Sequence, residues 1–346
     1  MSVNYTTVQW NRQKRRYDWI MVGLIGLYLL AFAVLQLIFY PNVTPETLII
    51  RATGTLAFLM LHVILSIGPL TRMDARFMPL LYNRRHLGVT MFLIALTHGI
   101  FNTVQFHALS NTDPLLSIFL SNTNYDSFAL FPFQVLGFFA LLILFLMAAT
   151  SHDFWLKNLH PKVWKSLHIM VYLAYALLVF HVMLGVIQLE QSPVWIGATG
   201  LGMLTIVGLH VTAGILEKRR LQEQSSKNKA LEGFYEVCLA DEIPENRAKI
   251  VFLEGENIAI FKYDGKVSAV SNICRHQHGP LGEGKIVDGC ITCPWHGYQY
   301  YPGNGQSPPP FTEKLETYDV KVVGGKIWVN PKAYPEGTER EPALAH

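Results

Sequence analysis

"SNICRHQHGPLGEGKIVDGCITCPWHGYQY", residues 271–300, contains three of the chain's four cysteines and three of its thirteen histidines. Within it Cys274, His276, Cys293 and His296 form C-x-H-x16-C-x2-H. Two thiolates and two imidazoles can hold tetrahedral zinc, or a [2Fe–2S] cluster with both histidines on one iron. The spacing alone leaves both open. On either side the sequence alternates in short apolar runs. "KIVFLEGENIAIFKYDGKVSAV" (249–270) has turn signals at Glu254-Gly255 and Asp264-Gly265, and "YDVKVVGGKIWVN" (318–330) has one at Gly324-Gly325. A small all-β domain over 233–335 is expected, followed by a disordered tail at 336–346.

Upstream the chemistry changes. Residues 18–215 are long apolar runs with few charges, and a charged, amide-rich linker at 217–232 ("EKRRLQEQSSKNKALE") separates them from the polar third. Crossing a hydrocarbon core of about 30 Å takes about 20 helical residues. Six stretches qualify: 18–40, 47–70, 86–107, 128–150, 165–187 and 194–216. The first follows a basic arm (1–17) like a signal peptide, but it is too long and lacks a small-residue cleavage site. The expected architecture is therefore multidomain: a six-helix all-α transmembrane bundle at 18–216, then the β domain.

Short cytoplasmic loops accumulate Lys and Arg. Arg12, Lys14, Arg15 and Arg16 precede the first span, and Arg72, Arg76, Arg84 and Arg85 follow the second. Lys157 and Lys162 follow the fourth, and Lys218, Arg219 and Arg220 the sixth, whereas the intervening loops have none. The expected location is the inner (cytoplasmic) membrane, multi-pass, with both termini and the cysteine cluster cytoplasmic. In the long outer loop, Pro114–Leu120 reads as an interfacial helix or as packing. Against a net charge of +3, nucleic acid is not an expected partner; membrane lipid is.

Ionisable residues at membrane depth point to function. Here they are mostly histidines: His62 in the second span, His86 and His98 in the third, His168 and His181 in the fifth, His210 in the sixth. Neutral imidazole is a common axial ligand of haem iron, and helical bundles hold cofactors between facing helices. The third and fifth spans run in the same direction. His86 and His168 sit near their inner ends, with His98 and His181 roughly 18 to 20 Å deeper, which makes two rungs at matched depth. At about 100° per residue these offsets do not return to one helix face. His62 falls between the rungs, as a propionate partner or alternative ligand, and His210 reads as bonded to a backbone carbonyl.

"RRHLGVTMFLIALTHG" (84–99) with "VWKSLHIMVYLAYALLVFH" (163–181) resembles the ferric reductase-like transmembrane domain, over roughly residues 45–215. The resemblance implies haem b, one or two, held by His98, His181 and His168. His86 matches the first third-helix histidine of the two-haem branch, with a shorter spacing to His98. "CRHQHGPL" with "CPWHGYQY" resembles the two loops of a Rieske [2Fe–2S] ferredoxin-like domain, across the full ~100 residues. That resemblance implies thiolates of Cys274 and Cys293 on one iron and imidazoles of His276 and His296 on the other. Cys290 reads as strand core and His278 as a loop residue.

High-potential Rieske proteins add a disulfide and a serine hydroxyl at positions that resemble Gly279, Trp295 and Tyr298 here. Tyr300 remains as a hydrogen-bond donor that tunes the cluster, and a low potential is expected. No G-x-G-x-x-G follows a strand, C-x-x-C is followed by proline and not histidine, and no mononuclear-iron run of an oxygenase is present. A separate flavin- or ferredoxin-type reductase in the cytoplasm is the expected donor. The expected function is that of an electron-transfer oxidoreductase component, passing electrons between the cluster and haem and onward to quinone or an extracytoplasmic acceptor. Quinol oxidation in reverse, or a membrane-anchored redox sensor or docking subunit, are the alternatives.

Overall fold

The computed structural model describes residues 12–345 apart from 78, 79, 81–83, 109, 110, 153, 154, 156–158, 160, 191, 192, 228, 229, 232, 277, 295 and 296. Two compact units divide it, one made of residues 10–213 and one holding 214–346.

The first unit is helical: α1 (Arg12–Phe39), α2 (Pro45–Met73), α3 (Arg84–His107), α4 (Pro114–Leu120), α5 (Phe133–Thr150), α6 (Pro161–Ile169), α7 (Val171–Gly185) and α8 (Pro193–Lys227). Six stretches in these helices are long and apolar enough to cross a membrane, and they coincide with the six expected from hydropathy. Pro45 opens α2 behind Thr44, whose hydroxyl accepts from the Thr47 N–H. Asp113 caps the short α4 through the N–H groups of Leu115 and Leu116. The fourth span starts at Phe133 and not at 128, because Pro132 cannot continue a helix upstream. The fifth is broken at Met170, whose N–H turns to the Leu167 carbonyl.

Packing inside this unit is strongest between α2 and α3 and between α5 and α7. Leu56, Met60, Leu61, Met91, Leu144 and Tyr175 form its core. Outside it large apolar side chains stand unburied, including Leu30, Ile38, Leu146 and Phe180. Such a surface suits a hydrocarbon solvent, in which helices satisfy their backbone groups internally.

The second unit holds three small antiparallel sheets, built from β1 (Ala230–Leu231), β2 (Phe234–Leu239), β3 (Arg247–Leu253), β4 (Glu256–Tyr263), β5 (Lys266–Ser271), β6 (Lys285–Val287), β7 (Cys290–Thr292), β8 (Gln299–Tyr300), β9 (Thr317–Tyr318), β10 (Val320–Val323), β11 (Lys326–Val329) and β12 (Ala343–Leu344). Their orders are β1-β2-β11-β10, β12-β5-β4-β3 with β9 on β5, and β6-β7-β8. The three expected hairpins form, and each turn pair has positive φ at both positions: Glu254-Gly255, Asp264-Gly265 and Gly324-Gly325. Asp288-Gly289, between β6 and β7, does the same. That hairpin leads into Cys293.

Two boundaries differ from the sequence reading. The helix does not stop at 216. Glu217 to Lys227 are mostly strong helix formers, and they extend α8 through most of the expected linker. Nor is the tail disordered. Ala343 and Leu344 pair with Val267 and Lys266, the Gly337 N–H bonds the Leu315 carbonyl, and Arg340 donates to Asp319 while stacking over Tyr334. Tertiary pairing orders a segment that has too little apolar surface to order itself.

Candidate functional site

In the β unit, Cys274 and Cys293 open two loops closed by the same bonds. The Cys274 N–H donates to the Gly279 carbonyl and its own carbonyl accepts from the His278 N–H. The Cys293 N–H donates to the Tyr298 carbonyl and its carbonyl accepts from the Gly297 N–H. The fifth residue of each loop is left-handed, His278 at φ 60° and Gly297 at φ 73°. His278 is therefore a turn residue that holds a conformation costing a non-glycine roughly 1–2 kcal/mol. Both thiols are buried, at 0% and 2% exposure, in a core shared with Leu281, Ile291, Tyr300 and Leu315. No disulfide joins them.

Around this pair the aromatic residues order the loops. His276 stacks on Tyr298, with ring centroids 4.8 Å apart and planes 9° apart. Tyr298 in turn donates to the Glu313 carboxylate. Burial lowers the basicity of His276, so the imidazole is neutral near pH 7. The Tyr300 hydroxyl lies 3.4 Å from Cys274 Sγ and accepts from the Arg275 N–H at 3.1 Å. Burial, and then the neighbouring Cys274, push the phenol far above its ordinary range, so it keeps its proton. The phenol proton and the Cys274 sulfur are within hydrogen-bonding distance of each other. Two buried thiols and a neutral imidazole on paired loops are a donor set that can hold an iron–sulfur cluster. His296 and Trp295 lie outside the described residues. Cys290 is buried on β7, as expected of a core residue.

In the helical unit the six histidines separate by what their Nδ1 atoms bond. His62, His168 and His210 donate to carbonyls of their own helices, at Phe58, Trp164 and Ile206. His86 faces both carboxylate oxygens of Asp18 on α1 at 3.0 Å. His98 and His181 each reach a backbone carbonyl of another helix. The His98 Nδ1–H donates to the Ile50 carbonyl of α2 at 2.9 Å, and the His181 Nδ1–H to the Phe133 carbonyl of α5 at 2.8 Å. A carbonyl can only accept, so each Nδ1 carries the proton and each Nε2 the lone pair a metal needs.

Glycine makes these approaches possible. A Cβ at Gly54 would stand 2.7 Å from His98 Nδ1, and one at Gly137 2.8 Å from His181 Nδ1. Each glycine lies four residues beyond the accepting carbonyl, where a side chain would otherwise cover it. The result is one motif used twice: a carbonyl and, one turn on, a glycine that admits the imidazole. Sequence reading missed Ile50, Gly54, Phe133 and Gly137. The available signal was a glycine at membrane depth on the helix next to each histidine.

The two imidazoles meet. Their centroids are 6.3 Å apart with planes at 82°. Two close imidazoles that each keep an Nε2 lone pair are a donor set that would suit haem iron. His62 differs, because its Nε2 lies 3.1 Å from the Tyr175 hydroxyl, which donates to it. His210 Nε2 is likewise met by Tyr172 at 3.2 Å. His168 stacks on Trp164, with its Nε2 3.3 Å from Ser151 Oγ. The structure thus brings together the deeper rung and not the shallower one.

Comparison with known proteins divides the chain at the same place. Residues 233–319 match the Rieske [2Fe-2S] domain, and residues 52–179 match the ferric reductase like transmembrane component. The 3-phenylpropionate/cinnamic acid dioxygenase ferredoxin subunit of Photorhabdus laumondii is 34% identical over 95 residues, 27% of this chain and 90% of that protein. The anthranilate 1,2-dioxygenase ferredoxin subunit of Burkholderia cepacia is 31% identical over 91 residues, 26% of this chain and 84% of its own length. An alkene monooxygenase system ferredoxin component from Xanthobacter autotrophicus is 26% identical over 107 residues, 31% and 88% of the two chains. The chain belongs to the Rieske [2Fe-2S] family through its C-terminal domain, its helices match the ferric reductase like transmembrane component, and it is a multi-pass membrane electron-transfer protein.

Proposed function

We propose that the chain passes electrons between a Rieske cluster bound by Cys274, His276, Cys293 and His296 and a single b-type haem bound by His98 and His181, and from there to an acceptor in or beyond the membrane. The observation that carries this reading is the imidazole pair at 6.3 Å, each member held by a carbonyl of another helix. Bound at these residues, cluster and haem would each supply one-electron redox chemistry. The protein's part is positional. Ile50 and Phe133 fix the tautomer of the two imidazoles, and Gly54 and Gly137 let them approach. Tyr300 offers a proton to the Cys274 sulfur, and Tyr298 braces His276.

The basic loops support a topology with both termini cytoplasmic and the Rieske domain on the same side. The relatives are ferredoxins of oxygenase systems, which supports a role as acceptor from a separate reductase. A cytoplasmic flavin- or ferredoxin-type reductase is the proposed donor. His86 and His168 are engaged elsewhere, which supports one haem and not two.

The test is a purified preparation in which the cluster is reduced enzymatically while the haem band is followed. Cluster EPR signal and reduced b-type absorbance should rise together, in a ratio of one haem per cluster. Absence of a b-type band in the reduced-minus-oxidised spectrum would sink the reading.

Tyr300→Phe tests the tuning. A hydrogen bond to sulfur stabilises the reduced, more negative cluster more than the oxidised one, so its loss lowers the potential. With a charged hydrogen bond worth about 1–2 kcal/mol and about 59 mV per tenfold for one electron, a fall of about 40–80 mV is expected. EPR-monitored redox titration reads it, and an unchanged potential would remove Tyr300 from the site.

A further inference from the structure

Arg275 stands between Cys274 and His276 in the first cluster loop, and its guanidinium is ion-paired twice. Nη2 lies 3.1 Å from Glu316 Oε1 and 2.6 Å from Glu336 Oε1. The backbone N–H of the same residue donates to the Tyr300 hydroxyl at 3.1 Å, and that hydroxyl lies 3.4 Å from Cys274 Sγ. Arg275 thus connects two carboxylates to the hydroxyl beside a cluster sulfur.

The carboxylates come from separate segments. Glu316 precedes β9, and Glu336 lies in the C-terminal segment, beyond the residues 233–319 that match the Rieske domain. Backbone bonds on both sides of Glu336 lay the two segments together. The Tyr334 N–H donates to the Thr317 carbonyl at 3.0 Å, and the Gly337 N–H to the Leu315 carbonyl at 2.9 Å. Gly337 has φ 80°, a conformation that favours glycine, in the turn that presents Glu336. The Ser271 N–H donates to the Glu316 carbonyl at 2.9 Å, which ties the other segment to the strand leading into Cys274. Two carboxylates at one nitrogen repel each other, and a guanidinium, which does not lose its proton, is the cation that lets both stay ionised.

We propose that Glu336 and Glu316 act through Arg275 as an electrostatic clamp on the first cluster loop, so that the C-terminal segment helps to set the cluster's reduction potential; the inference rests on the proposed cluster and adds positioning residues to it. Reduction adds one negative charge to a cluster, and the net charge around it is among the quantities that set its potential. Arg275 favours the reduced form. Each carboxylate opposes it and offsets the guanidinium. The side chains of Arg275, Glu316 and Glu336 are 32%, 32% and 49% exposed, so water screens these charges and the shifts are modest.

The test is an EPR-monitored redox titration of the full-length protein. Glu336→Gln keeps the shape of the side chain and removes its charge. It should favour reduction about two- to fivefold, a rise of about 20–40 mV at about 59 mV per tenfold for one electron. Adding Glu316→Gln should raise the potential further. Arg275→Gln removes the cation and leaves both carboxylates, so its potential should fall, while Arg275→Lys should fall less. A loop that is merely loosened would move all of these variants in one direction, so opposite signs separate the clamp from a structural role. The proposal is overturned if Glu336→Gln leaves the potential unchanged or lowers it, or if Arg275→Gln raises it. Should Arg275→Gln assemble no cluster, the half-exposed Glu336 decides by itself. An unmodified chain without a Rieske EPR signal refutes the cluster reading and the clamp with it, whereas a signal whose potential does not respond to Glu336→Gln refutes the clamp alone.

Discussion

Replacing either His98 or His181 with alanine is expected to remove haem from the protein entirely, while His86→Ala and His168→Ala leave the haem content unchanged. Each of the first pair presents one Nε2 lone pair, and neither imidazole has a neighbour that could substitute without rearrangement. His62, the nearest alternative in depth, already has its Nε2 engaged by Tyr175 and its Nδ1 by Phe58. His86 faces Asp18, and His168 bonds within its own helix. Pyridine haemochrome quantitation on purified variants reads the result directly. Loss of half the haem in His86→Ala would instead establish a second site, and retention of full haem in His98→Ala would overturn the pair. Changing the anchors acts one step removed: metal-ligand hydrogen-bond partners typically contribute 10–100-fold in affinity.

Cys274→Ser and Cys293→Ser should each abolish the cluster, taking iron and acid-labile sulfide from about two of each per chain to background. Serine in a site built for thiolate leaves a buried hydroxyl beside Leu281, Ile291 and Leu315, and it removes the bridge that closes two loops onto each other. Cluster binding is also folding free energy, so the β unit should become protease-sensitive in these variants. The helical unit has its own core, and its haem content should be retained. Cys290→Ser is the control. Cys290 is equally buried but lies on β7 as a strand residue, so the cluster signal should persist with only a modest loss of stability. A cluster missing from Cys290→Ser and present in Cys293→Ser would reverse the assignment.

Much of this protein was legible in its sequence because the signals are local. Helix length against bilayer thickness places six spans, D-G, E-G and G-G pairs place hairpins, and C-x-H with C-x-x-H marks a metal site, zinc or iron–sulfur by spacing alone. The azimuth of the histidines was legible too. Offsets of 12 and 13 residues turn His86 and His98, and His168 and His181, to different helix faces, and the structure shows them meeting different neighbours.

What depended on tertiary structure is every relation between distant segments. His86 pairs with a residue 68 positions away, and His98 and His181 each find a carbonyl 48 positions away. The tail pairs with β5 although its composition reads as disorder. The sequence by itself determined which helices form, which residues can bind metal and at what depth they lie, because length, hydropathy and residue chemistry act over one element. Only the tertiary structure decided which imidazoles face each other. That choice rests on helix rotation and on the absence of a side chain at Gly54 and Gly137, and both are set by the packing of whole helices.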